Sequence, residues 1–194
     1  MLAIANKWRD YMCRRLEELL AFHSAPALCG LKASNLINLS KKDTDSFIQD
    51  INLLNKMYNP NVFFTFLKVS NENSLLLVFK RNILENHLLK EENAKFLESI
   101  GYKLSDNVFD YIKELKKRIN YGCEFPHEIG VFLGYDLLDT LEFIKGNRNP
   151  LLKGLWNVYY DAYNKQIIFD KYNRCKNCVI RLVNKGFSIE NFMK

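Results

Sequence analysis

Val62-Phe63-Phe64-Thr65-Phe66-Leu67-Lys68-Val69, then Ser70-Asn71-Glu72-Asn73, then Ser74-Leu75-Leu76-Leu77-Val78-Phe79-Lys80 is the stretch on which the fold turns. Both flanks are rich in aromatic and branched residues, which suit a pleated surface. The polar tetrapeptide between them reads as a hairpin turn. The second flank is almost continuously apolar, as expected of a strand covered on both faces. Such a hairpin within a mostly helical pattern predicts an α+β protein: a small, mainly antiparallel sheet with packed helices and a helical C-terminal half.

Working outward, Asp43 to Tyr58 reads as a helix, with Phe47, Ile48, Ile51, Leu54 and Met57 on one side. Asp43 or Thr44 can cap it, and Asn59-Pro60 should stop it. Upstream, Ala33 to Leu39 suits a short strand. Asn6 to Ala21 carries an apolar stripe (Trp8, Tyr11, Leu16, Leu19, Leu20) that predicts an amphipathic helix, which Pro26 should end or kink. Downstream, short helices are expected around Ile83–Lys90 and Glu92–Ile100, then helices at about 107–121, 127–133 and 137–145. Asp136 stands at the N-cap of the last of these, with Asp139 completing a weak capping arrangement. Gly146-Asn147-Arg148-Asn149-Pro150 is a loop, Leu155 to Tyr160 a candidate strand, and Ala162 to Asn184 a long helix with Ile168, Tyr172, Cys175, Val179 and Leu182 on its stripe. The whole chain, 1–194, is expected to form a single domain: a helix and strand half over 1–104 with the 62–80 hairpin, and a mostly helical half over 105–194.

Composition narrows the function classes. With 48% apolar and 13% aromatic residues the chain can bury a real core, so disorder is excluded. No uninterrupted apolar run is long enough to span a bilayer, and the N-terminus lacks the pattern of a secretory signal. A cytoplasmic location follows as the expectation, in keeping with five cysteines at irregular spacings that do not look like a disulfide framework. The net charge is +6, and residues 161–194 hold much of the excess, with 7 Lys/Arg against 3 Asp/Glu. A solvated helix face accounts for that.

Three constellations could carry chemistry. Cys175-Lys176-Asn177-Cys178 is a C-x-x-C, and Cys123 with His127 adds a second pair, so Cys123, His127, Cys175 and Cys178 offer a ligand set of the type zinc or an iron–sulfur cluster uses. Against it, the C-x-x-C lies inside a helical pattern. Second, Cys123 or Cys29 with His127 or His23, oriented by Glu128, could form a Cys–His pair for a nucleophilic enzyme, which requires a thiol beside His127 in a pocket. Third, the helices at about 127–133 and 137–145 have the outline of a helix-turn-helix DNA-binding regulator. Asp139 and Glu142 on the would-be reading helix oppose phosphate binding, so the sequence points away from nucleic acid.

Two blocks carry a resemblance. His23-x-Ala25-Pro26-x-Leu28-x-Gly30-x-Lys32 and Phe125-Pro126-His127-Glu128-Ile129-Gly130-x-Phe132-Leu133-Gly134-Tyr135 resemble the signature blocks of an uncharacterised domain-of-unknown-function family of anaerobic Gram-positive bacteria. Trp156-x-Val158-Tyr159 and Phe169-x-x-Tyr172-x-x-Cys175 are similar to it as well. Asp136 departs from the family's frequent Pro, and Asn149–Gly154 lacks the cysteines of its relatives. The resemblance brings no activity. It implies an accessory role in iron or redox physiology, through genes that often neighbour those for flavodoxin and ferrous-iron transport. The expectation is therefore a binding or accessory protein for a small anionic or iron-linked ligand, with His23, Lys32, His127 and Glu128 as its polar groups. Each stands within three residues of a Pro or Gly, where a defined turn can aim a side chain.

Overall fold

A computed structural model describes residues 13–58 and 61–193. Its elements in chain order are α1 (Arg14–Leu28), β1 (Ser34–Ser40), α2 (Lys41–Tyr58), β2 (Val62–Val69), β3 (Asn73–Lys80), α3 (Arg81–Leu88), α4 (Glu91–Ser99), α5 (Val108–Tyr121), α6 (Ile129–Phe132), α7 (Leu137–Ile144), β4 (Leu152–Lys153), β5 (Asn157–Val158) and α8 (Ala162–Asn184). A 3₁₀ turn over Ile189–Phe192 follows. The α+β expectation holds: a small antiparallel sheet, with helices packed on it and a C-terminal half that is helical.

The hairpin is the centre of the molecule. β3 lies between β1 and β2, antiparallel to both, with Leu36 opposite Leu77 and Phe64 opposite Val78. Because side chains alternate across a strand, the apolar run of β3 feeds two cores at once. Leu76 and Val78 join Val62, Phe64 and Ile37 in a core closed by α1, α2 and α8. Leu77 and Phe79 face the opposite side, where α3, α4, α5 and α6 supply Leu84, Leu97, Leu115 and Phe132. All four of these β3 residues are fully buried, each contributing about 1.5–3 kcal/mol by leaving water. A β-bulge between Phe66 and Lys68 in β2 turns Leu67 into the second core, where it is fully buried.

Two local expectations are corrected. Pro26 does not end α1: the helix runs on to Leu28 with Pro26 inside it. Proline removes one donor, for the carbonyl of Phe22, and Phe22 is exposed, while the Pro26 ring is buried and adds to the packing. The start of α2 is capped by Ser40, whose Oγ accepts from Asp43 N at 3.1 Å, rather than by Asp43 or Thr44. The stretch Asn6–Met12 of the first helix expectation, and the Asn59-Pro60 stop, lie outside the described residues.

A small β4–β5 ribbon crosses the base of α8. The 155–160 strand expected from sequence shrinks to Asn157–Val158, paired antiparallel with Leu152–Lys153. The ribbon's tip packs on α8 so closely that a Cβ on Gly154 would lie 2.1 Å from Phe169 Cε2. Only glycine fits there.

Candidate functional site

The two sequence blocks meet in space, and the same device delivers both. α1 ends in a Schellman turn: Gly30 N donates to Ala27 O at 3.0 Å and Leu31 N to Pro26 O at 2.8 Å, with Gly30 at φ +70°. α6 ends identically: Gly134 N donates to Val131 O at 3.0 Å and Tyr135 N to Gly130 O at 3.0 Å, with Gly134 at φ +76°. The turns are pressed together. Ser34 Oγ donates to Phe132 O at 2.7 Å, and a Cβ on Gly134 would lie 2.9 Å from that of Ala33. Residues just past each glycine, Lys32 and Tyr135, are thereby brought together, the Lys32 ammonium 5.3 Å from the Tyr135 ring centroid.

Between these turns and α8 lies a cleft of about 350 Å³, lined by Phe22, His23 and Pro26 of α1, Lys32, Asn35, Tyr135 and Leu155, and Tyr172, Asn173 and Lys176 of α8, with Leu36 and Leu133. Among the described residues no carboxylate lines it. Lys32 is only 8% exposed, and burial pushes its ammonium down to about 8. Among the described residues no carboxylate forms an ion pair with it. Burial, and then the charge of Lys176, hold the His23 imidazole below its ordinary value. Lys176 lies over the Phe22 ring at 4.9 Å. Burial raises the Tyr135 and Tyr172 phenols, keeping both as neutral hydroxyls. The cleft is thus cationic, with aromatic walls and two amides.

A second cleft of about 490 Å³ adjoins it, sharing Tyr135 and Leu155. Its lining is more apolar, with Phe125, Phe143 and Trp156, and His127 stands at its edge with its ring 5.2 Å from that of Phe143. Tyr135 stacks on Trp156 at 4.6 Å, and Trp156 meets Phe169 edge-on at 4.5 Å. This aromatic wall divides the two clefts. Asp139 holds it: buried at 2% exposure, its carboxylate accepts from Trp156 Nε1 at 2.9 Å, Tyr159 N at 2.7 Å and Tyr160 N at 3.2 Å. Asp136 caps α7 as its position predicts, accepting from Leu138 N at 3.0 Å, while the Asp139 carboxylate serves the ribbon rather than the cap.

Of the residues singled out in the sequence, His23 and Lys32 share the cationic cleft and His127 lines the neighbouring one. Glu128 faces neither. Buried between α5 and α6, it accepts from Tyr102 Oη at 3.1 Å and pairs with Arg118 Nη1 at 3.4 Å. Arg118 also covers the Tyr102 ring at 4.3 Å and donates to Ile100 O at 2.8 Å. Arg118→Ala is expected to destabilise the protein by about 2 kcal/mol, below the usual cost of orphaning a buried charge because the pair is partly solvated. A urea titration read by circular dichroism checks this.

The thiol-based expectations do not assemble. Among the described residues no three His, Cys, Asp or Glu side chains gather into a metal-binding group, so Cys123, His127, Cys175 and Cys178 are not brought together. Cys123 is exposed, and the C-x-x-C lies within α8, where it cannot adopt the tight turn of a zinc ribbon. Cys175 instead pairs with Cys29. Their hydrogen bond favours ionisation of Cys29, aided by Lys80 against the opposing effect of burial, and holds Cys175 strongly protonated. No cysteine lines either cleft, so neither histidine has a thiol beside it there. Nor does α7 offer DNA a basic face: Asp139 and Thr140 are buried, Leu138, Phe143 and Ile144 are exposed, and Glu142 pairs with Lys145 at 2.7 Å.

Residues that sequence reasoning missed are Phe22, Asn35, Tyr135, Asn173 and Lys176. Tyr172 and Lys176 stand one helical turn apart beside the stripe of α8, a spacing that could have marked a polar edge facing a ligand.

A family described as "Protein of unknown function (DUF3793)" matches residues 20–193. The chain belongs to that family. No curated protein and no solved structure matches it. Both blocks lie within the matched residues, and so do Lys32, Tyr135 and Lys176. No helix among the described residues of this family member is long and apolar enough to cross a membrane.

Proposed function

We propose that the chain is a cytoplasmic binding protein for a small organic anion, held in the cleft between α1, the two Schellman turns and α8. One observation carries this reading: a buried lysine that has no carboxylate partner among the described residues, facing a cleft that none of their acids lines. A buried ammonium is costly unless paired. An anion entering the cleft would supply the missing partner, so binding and charge compensation coincide. Lys176 adds positive potential, Asn35 and Asn173 offer amide donors, the neutral His23 imidazole can donate or accept a hydrogen bond, and Tyr135 and Tyr172 can flank a flat body while donating from neutral hydroxyls. A lining of this sign repels a free metal cation, so an iron-linked role would run through an anionic chelate rather than a bare ion.

Isothermal titration with inorganic phosphate, lactate and benzoate tests the reading. At least one is expected to bind saturably at a single site, and Lys32→Met to weaken it about tenfold or more, as loss of a charge-assisted contact does. Affinity should fall as pH rises through about 8, where Lys32 loses its charge. Binding unchanged by Lys32→Met, or no binding by any of the three, would refute it.

A further inference from the structure

Resting on that reading of the cleft, we infer that the anion it takes is a carbonyl compound, an anionic aldehyde or ketone, and that Lys32 holds it as a reversible imine. A lysine serving only as a counter-charge needs no burial. Here the amine is nearly enclosed, has no hydrogen-bond or ion-pair partner among the described residues, and faces open cleft volume. That environment raises the share of neutral amine, the nucleophilic form, above that of an exposed lysine, and the lowered value near 8 agrees with it.

The groups around it suit the chemistry. Lys176 and Asn173 from α8, with Asn35 beside β1's start, can hold the carboxylate or phosphate. Tyr135 covers the amine at 5.3 Å, and His23 from α1 can carry a proton at the mouth. In the step, the Nζ lone pair attacks the carbonyl carbon while the carbonyl oxygen gains a proton, giving a carbinolamine. The proton the oxygen gains is one of the two on the neutral Nζ; Nζ then gives up its second to the hydroxyl, the C–O bond breaks and water leaves, so amine and carbonyl become imine and water. No electrons are exchanged with any other reagent, and hydrolysis runs the same path backward.

The test is borohydride trapping with pyruvate and, separately, pyridoxal 5′-phosphate on the full chain, with adducts located by peptide mass spectrometry. The expected result is a saturable adduct on Lys32, about tenfold enriched over any other lysine, competed by lactate and absent in Lys32→Met. Lys32→Arg should retain lactate binding but form no adduct. Lactate affinity should fall above pH about 8 while adduct yield rises, because one needs the ammonium and the other the free amine. Lactate binding with no adduct, or with adducts spread evenly over the surface lysines, overturns the imine and leaves anion binding standing. Absence of both binding and adduct overturns the two together.

Discussion

Lys32→Met is expected to make the protein more stable by about 2–3 kcal/mol near neutral pH while removing its ability to bind an anion. The ammonium's value falls from 10.5 to about 8 on folding, and at roughly 1.4 kcal/mol per pH unit that difference is a cost of about 3 kcal/mol. Loss of the contact with Tyr135 offsets a fraction of the gain. The pH dependence gives a second signature. Below about 8 both folded and unfolded lysine are protonated, so the folded state bears the full cost. Between about 8 and 10.5 the unfolded chain binds more protons, so wild-type stability rises with pH. Above 10.5 both forms are neutral and the cost is gone. The advantage of the Met variant should therefore be largest below pH 8 and vanish above 10.5. Urea midpoints at unchanged slope measure it. A variant less stable than wild type at neutral pH would mean that Lys32 is structural and would remove the main support for the ligand reading. A stabilising substitution that abolishes binding is the pattern of a residue retained for function.

Much of the frame was legible in the sequence because periodicity reports burial directly. The four- and three-residue spacing of Ile168, Tyr172, Cys175, Val179 and Leu182 marked a helix from Ala162 to Asn184, the span observed for α8. The apolar run of β3 marked a strand buried on both faces. Pro26 misled because a proline's cost depends on whether the carbonyl it orphans is buried, and Phe22, the residue concerned, is exposed. The candidate site was legible in part for a similar reason. Gly30 and Gly134 announced turns, and the residues after them are the ones placed in the cleft. Which turn meets which was not readable, since it depends on Ser34 reaching Phe132 across nearly a hundred residues of chain. Glu128 looked like His127's companion by adjacency, yet successive residues in a turn point apart, and its carboxylate is taken by Arg118 and Tyr102. Asp139 looked like part of a cap because its spacing from Asp136 fits one, and although Leu155 to Tyr160 read as a strand, nothing in the sequence tied that strand to Asp139.

Asp139→Ala is expected to move stability the other way, lowering it by about 4 kcal/mol, and to weaken anion binding although Asp139 does not line the cationic cleft. The substitution orphans three donors: the Trp156 indole N–H and the amides of Tyr159 and Tyr160. Tyr159 is buried at 6% exposure, so water cannot readily replace the carboxylate. Asp139→Asn should cost less, about 2 kcal/mol, because its oxygen can still serve the two amides while its NH₂ opposes the indole. The binding effect travels through a chain of ring contacts. Trp156 stacks on Tyr135, which covers Lys32, and Leu155 beside it lines both clefts. Freed from Asp139, this wall loses its fixed position and the cleft its fourth side. Trp156 is one of two tryptophans in the chain, so a red-shifted emission in Asp139→Asn, compared with a Trp156→Phe control, reports the loosened wall without any ligand. Emission and binding that both stay at wild-type levels would show that the ribbon is independent of the cleft. Loss of binding in a destabilised protein and loss of binding in a stabilised one then separate the two roles: Asp139 positions the wall, whereas Lys32 meets the ligand.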